Sequence, residues 1–146
     1  MKLVHLAAAT LAFAALGSTA YAADPVEGTW LVQAGTAKVR VAPCGGDKAK
    51  MCGVVVWMKT PNDKAGQPMK DLNNPDAAMR GRPIVGLTMI RDFKPAGAGK
   101  WAGANIYDPS SGKPYASKIS VNPDGTLKVE GCITVVCQAQ TWKRSS

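Results

Sequence analysis

Apolar and polar positions alternate with a period of two along most of this chain, and turn-forming residues break the alternation about every ten to fifteen residues. In "AKVRVAP" (37–43), Val39 and Val41 point one way while Lys38 and Arg40 point the other, as in a half-buried strand. "GVVVWMKT" (53–60) and "IVGLTMIRDF" (84–93) are largely apolar and rich in β-branched residues, which suit a pleated surface. Gly86 marks a bend or bulge in the second of these. "GTWLVQA" (28–34), "KWAGANIYD" (100–108), "YASKISV" (115–121), "TLKVEG" (126–131) and "CQAQTWKR" (137–144) complete a set of eight predicted strands. The links carry turn chemistry. "NPDG" (122–125) has Asn first, Pro preset for the second position and Gly last, "DPSSGK" (108–113) follows the same logic, and "KPAGAG" (94–99) reads as loop. Consecutive strands joined by tight turns make a meander. The predicted fold is all-β, an eight-stranded antiparallel up-and-down barrel whose closure leaves no free edge, with a two-sheet sandwich as the alternative.

One segment breaks the pattern. "DLNNPDAAMRGRP" (71–83) is mostly polar, charged and turn-forming, and it cannot be a strand. Asn74 reads as a helix N-cap, Pro75 as the first helical position and Asp76 as a first-turn acid. Gly81 stops such a helix and Pro83 prevents it from resuming. The expectation is a short helix of one or two turns in the long connection 61–83, between strands three and four. A connection of that length in a compact domain is usually functional or a packed lid.

The start of the chain stands apart. "MKLVHLAAATLAFAALGSTAYA" has Lys2, an apolar run from Leu3 to Leu16, and Ala20-Tyr21-Ala22 at its end. That is the pattern of a secretory signal peptide over 1–22, leaving 23–146 as a single domain. No second apolar stretch of membrane length follows, so stable membrane insertion after cleavage is not expected. The expected location is the periplasm or the exterior. The net charge is +8, or +7 without Lys2, with the basic residues dispersed along the chain. A solubilising surface explains this; a sharper reading is attraction to an anionic envelope component, polymer or lipid headgroup. Nucleic acid is not an expected partner of an exported chain without a recognisable module.

The single histidine, His5, falls in the signal. Its absence from the mature chain takes away Ser-His-Asp and Cys-His catalysis and every His-ligated metal site. Neither a cofactor nor a metal site is expected. Cys44, Cys52, Cys132 and Cys137 make an even count, which in an exported chain reads as disulfides. Cys44–Cys52 and Cys132–Cys137 are the favoured pairs, because each brackets a short segment that can turn between strands. A four-cysteine zinc site is the rival, without the usual C-x2-C spacing.

Candidate ligand-binding residues cluster in two places. The first is the irregular segment, with Asp71, Asn73, Asn74, Asp76, Arg80 and Arg82. Arginine forks suit carboxylate or phosphate groups. The plainer reading is that Asp71 or Asp76 pairs with Arg80 or Arg82 and fixes the loop, Asp76 and Arg80 having i, i+4 spacing. The second is Tyr107-Asp108-Pro109 with Gly112 and Tyr115, which a hairpin turn also explains. Asp108 with an acid from 71–76 would give a carboxylate pair of glycosidase type. Met51, Met58, Met69, Met79 and Met89 are too scattered for a soft-metal site and read as core or cover. Trp30 and Arg144 stand at opposite ends of the chain, and in a closed meander they become neighbours able to stack, with Trp142 and Lys143 as competitors.

"GTW" near the mature start and "TWKR" at the end resemble the Gly-x-Trp and terminal-arginine signature of the lipocalin-like (calycin) barrels, carried here by Gly28, Trp30, Trp142 and Arg144. The ordered motifs "GTWLV", "KVRVAPCGG", "MCGVVVWMK", "DLNNPDAAMRGRPIVGL", "WAGANIYDPSSGKPY", "LKVEGC" and "CQAQTWKR" resemble an uncharacterised bacterial family, domain of unknown function 2147, over nearly all of 27–144. The resemblance implies an exported protein with a small calycin-like barrel and implies no activity. The hairpin after strand two departs from the family's compact version by a longer polar tip, "GGDKAKM" (45–51).

Small barrels are either filled by their own side chains or hold one small ligand. The first expectation is therefore a periplasmic binder of a small apolar or amphiphilic ligand, with 61–83 across one mouth and Arg80 and Arg82 meeting an anionic end. The alternative is an envelope structural or interaction protein with a filled barrel and a basic surface. An enzyme is not expected; it would need acid–base work by Asp and Tyr.

Overall fold

The computed structural model describes Gly17 and residues 22–146. The predicted signal peptide lies outside the described residues, apart from Gly17 and Ala22. Eight strands run in chain order: β1 (Gly28–Leu31), β2 (Ala37–Cys44), β3 (Asp47–Met58), β4 (Thr88–Pro95), β5 (Lys100–Asp108), β6 (Lys113–Val121), β7 (Leu127–Ile133) and β8 (Val136–Ser145). Each pairs antiparallel with the next, and β8 returns to β1 through Trp30 opposite Arg144, closing the barrel.

Alternation decides which side chains enter the barrel. Val39 and Val41 are buried while Arg40 between them is exposed. One contiguous core joins Trp30, Met51, Ile90, Phe93, Ile119, Leu127 and Trp142, each at most 2% exposed, with Trp101, Val129 and others. Each such side chain stabilises the fold by roughly 1.5–3 kcal/mol through burial. Four large aromatic rings, those of Trp30, Phe93, Trp101 and Trp142, belong to this core. A second cluster, Val55, Ile84 and Leu87, packs with Met58, Met89 and Tyr107 where the long connection re-enters the sheet. Met69 and Met79 stay exposed.

The first and last strands show why the Gly-x-Trp and arginine positions matter. The guanidinium of Arg144 lies 4.2 Å from the centroid of the Trp30 ring and donates to the carbonyls of Glu27 (3.0 Å) and Pro25 (2.8 Å). The Trp30 indole N–H donates to the carbonyl of Val26 at 2.8 Å. Gly28 has φ +146°, and a Cβ there would collide with Nη1 of Arg144. The N-terminal segment is thereby folded against one barrel end, with Val26 fully buried.

Four departures from the pattern-based expectation exceed two residues or change the element. β3 begins at Asp47 rather than 53, because Gly45 and Gly46, both with positive φ, make a two-residue turn and the polar "DKAKM" joins the strand. β4 begins at Thr88 rather than 84. The segment before it still donates Gly86 N–H to Val55 O and accepts Val55 N–H at Leu87 O, but Gly86 bends it at φ +97°. β1 stops at Leu31 rather than 34, since Val32 and Gly35 are drawn into the turn to β2. The expected helix is a single 3-10 turn, Ala77–Met79. Its N-cap is Asp76, which accepts from Ala78 N–H, while Asn74 Oδ1 accepts from Asp76 N–H one step earlier. Capping by Asn74 thus folds a preceding Asx turn, and too few residues remain before Gly81 for an α-helix.

Both favoured disulfides are present. Cys44–Cys52 closes the β2–β3 hairpin and Cys132–Cys137 closes the β7–β8 hairpin, with no free cysteine among the described residues. Together they suit an oxidising, extracytoplasmic environment. In the chain-entropy picture each small loop contributes about 2–3 kcal/mol.

Candidate functional site

Asp71 is the centre of the irregular segment. Its side chain is fully buried, which is costly for a carboxylate unless every oxygen is paired. Tyr107 on β5 donates its hydroxyl to Oδ1 at 2.6 Å. Asn74 Nδ2 donates to Oδ2 at 2.8 Å, and Arg82 donates to the same oxygen from Nε at 3.0 Å and from Nη2 at 2.8 Å. Burial pushes the Asp71 carboxyl up, but the hydrogen bonds from Tyr107, Asn74 and Arg82, with the charge of Arg82, outweigh it and hold the group below the ordinary carboxylate value. Burial and the adjacent Asp71 charge push the Tyr107 phenol up. Both groups therefore keep their ordinary neutral-pH forms.

A second set of contacts fastens the segment to the β5–β6 turn. Asn73 Nδ2 donates to the carbonyls of Pro109 (3.2 Å) and Ser110 (2.8 Å). Gly112, at φ +69°, lets the backbone of Asn73 approach so closely that any Cβ would overlap the Asn73 carbonyl oxygen. Within the turn, Asp108 accepts from Ser110 N–H (2.9 Å), Ser110 Oγ (2.6 Å) and Ser111 Oγ (2.8 Å). Burial raises the Asp108 carboxyl, and these donors more than offset it and lower it.

The structure thus brings Asn74, Arg82 and Tyr107 onto the Asp71 carboxylate and keeps the side chains of Asp76, Arg80 and Asp108 off it. Asp76 caps the 3-10 turn, and Asp108 organises its own turn. Arg80 donates from Nε to the carbonyl of Asn74 at 2.7 Å and is otherwise exposed. The Asp76–Arg80 pair that i, i+4 spacing suggested does not form among the described ion pairs, because a 3-10 turn does not place these residues on one face. The carboxylates of the glycosidase idea, Asp108 with Asp71 or Asp76, are each engaged by donors within their own local clusters. Asn73 is the contact whose role sequence spacing could not reveal, since its partners lie 36 and 37 residues on.

Chemically, the arrangement is a clasp: it holds the segment at the β5–β6 corner beside one barrel mouth. Among the described residues, Cys44, Cys52 and Asp92 form a grouping of metal-ligating types, but both sulfurs are joined to each other. Two open depressions lie on the outer wall around β4, with volumes of about 410 and 370 Å³, and the first of them shares Tyr107 with the clasp.

The fold has a counterpart among solved structures. It is similar to protein HP1028 from the human pathogen Helicobacter pylori, described as belonging to the lipocalin family, with 20% identity, 83% of each chain covered and a TM-score of 0.71. At that identity the likeness is one of fold. Among curated proteins no match is found. From the first strand to the last, residues 28–144 match the family described as "Uncharacterized protein conserved in bacteria (DUF2147)", and the chain belongs to that family.

Proposed function

We propose that this is an exported, periplasmic interaction protein that works with its outer surface, the barrel serving as a filled scaffold that presents cations to anionic envelope material. The observation that carries this reading is the interior itself. Trp30, Met51, Phe93 and Trp142 belong to one buried cluster, each at most 2% exposed, and in a small barrel large inward side chains take up the interior that a ligand would need. The second support is charge. The chain is net basic, and Lys50, Arg82, Lys118 and Lys128 are its lysines and arginines seen in ion pairs among the described residues, while cations such as Arg40, Lys59, Lys94 and Arg91 are exposed. The test is retention on immobilised polygalacturonate against a neutral dextran matrix. Retention on the acidic matrix that falls steeply with added salt supports the reading; equal behaviour on both matrices refutes it.

A small-ligand function has one observation in its favour. The indole N–H of Trp101 is buried without a hydrogen-bond partner, and such a donor is commonly satisfied by a bound acceptor or a water. Native mass spectrometry of protein purified from the periplasm separates the two readings. A bare mass favours the filled scaffold, and a retained organic molecule favours the carrier.

A further inference from the structure

The outer wall of β2–β5 is not a uniform cylinder. Register slips between Met51 and Gly53 and again between Gly53 and Val54 where β3 pairs with β4, and it slips between Trp101 and Ala104 where β5 pairs with β6. Gly53 stands at the first of these, where a Cβ would crowd the Ile90 side chain at 2.9 Å. Asp92 completes the irregularity with φ +59°. Bulges of this kind bend a sheet and open its outer face. The two depressions lie here, and they share Thr88, Arg91 and Asp92, so they form one continuous groove running across the strands.

The cations of this groove are available. Arg40 on β2 stands in a row with Val54 on β3 and Thr88 on β4, and Arg91 on β4 lines both depressions. Both arginines are exposed, and neither has an ion-pair or hydrogen-bond partner among the described residues. The one acid of the groove, Asp92, is partly neutralised by Lys50 at 3.9 Å. Thr88 and Asn105 add neutral hydrogen-bonding groups, and Val54 adds a small apolar floor.

We infer that this groove binds an extended, carboxylate-bearing glycan chain, with Arg40 and Arg91 meeting its carboxylates. Guanidinium forks pair with carboxylates in two parallel hydrogen bonds. Thr88 and Asn105 suit sugar hydroxyls, and an open groove that crosses several strands, each about 4.8 Å from the next, suits a chain rather than a compact molecule. The inference rests on the outer-surface reading above and names its site.

The test is calorimetric titration of the intact mature protein with a short oligogalacturonate at about 50 mM salt, with inorganic polyphosphate as the parallel arm. Arg40→Gln with Arg91→Gln should weaken oligogalacturonate binding at least about tenfold. Lys64→Gln with Lys70→Gln removes the same charge from the exposed loop and should change it less than about threefold. Asp92→Asn should tighten binding by about two- to fivefold, since it removes the groove's own acid while Asn tolerates the left-handed backbone. Equal loss in the two double variants, or no gain from Asp92→Asn, overturns the groove while leaving the outer-surface function standing. No binding of either polymer by the wild type overturns both. Tighter binding of polyphosphate than of oligogalacturonate overturns the assignment to a glycan.

Discussion

Arg82 and Arg91 lie close in sequence and lead opposite lives. Arg82 gives three of its contacts to neighbours: Nε and Nη2 to buried Asp71, and its guanidinium 5.7 Å from the Tyr107 ring centroid. Arg91 gives none. The irregular segment around Arg82 has the composition of a binding loop, but Arg82 and Asp71 are consumed in holding it to β5, and Asn73 holds it to the β5–β6 turn. The bulged wall around Arg91 has the composition of an ordinary strand, and its two arginines, Arg40 and Arg91, carry no ion pair among the described residues. The difference teaches that availability of a charge follows from register and burial, not from how polar its stretch of sequence is.

The sharpest way to break this comparison is Asp71→Ala. It leaves Arg82 and the Tyr107 hydroxyl facing an emptied, buried site, and about 3 kcal/mol of stability should be lost in urea unfolding. Arg91→Gln should stay within about 0.5 kcal/mol of wild type in the same assay. Similar losses in the two variants would erase the distinction between a fastened and a free arginine.

Next in size is the clasp at the turn. Gly112→Ala drives a Cβ into the Asn73 carbonyl and should cost about 2 kcal/mol or more, whereas Gly125→Ala, also at positive φ but with open space around it, should cost about 1 kcal/mol. A ranking of thermal midpoints in the reverse order would mean that the segment is not pressed against the β5–β6 turn.

A smaller effect appears in acid. The folded-state pKa of Asp71 lies below its unfolded value of about 3.9, so its contribution is fully present above that value and is lost as pH falls through the lower folded one. Asp71→Asn removes the titration, so its stability should decline less than that of wild type between neutral pH and about pH 3. Parallel declines would assign acid sensitivity elsewhere, Asp108 being the next candidate. The smallest effect belongs to the wall: Asp92→Asn breaks only an exposed 3.9 Å contact with Lys50 and should shift stability by less than about 0.5 kcal/mol.

Much of the barrel was legible in the sequence because alternation has a direct physical cause. Val39 and Val41 must face inward if Lys38 and Arg40 are to reach water, and cysteines bracketing a hairpin can reach across it. Trp30 and Arg144 were legible for the same reason, since closure of a meander makes first and last strands neighbours. Other features depended on distances no local pattern records. Tyr107 meets Asp71, and Asn73 meets Pro109 and Ser110, only after the barrel has closed. The helix shrank to a 3-10 turn because Asn74 and Asp76 each capped a separate turn, which propensity alone does not rank. The groove was invisible because Arg40 and Arg91 look like any outward strand residues until the bulges beside Gly53 bend the wall.

Whether binding takes place outside a filled barrel is tested most directly by an NMR titration with oligogalacturonate that follows backbone amides and indole N–H signals together. Progressive shifts at Arg40, Thr88 and Arg91, with the indoles of Trp30, Trp101 and Trp142 unmoved, are the expected result. Movement of the indoles with the wall amides unchanged would place the ligand in the interior and contradict it.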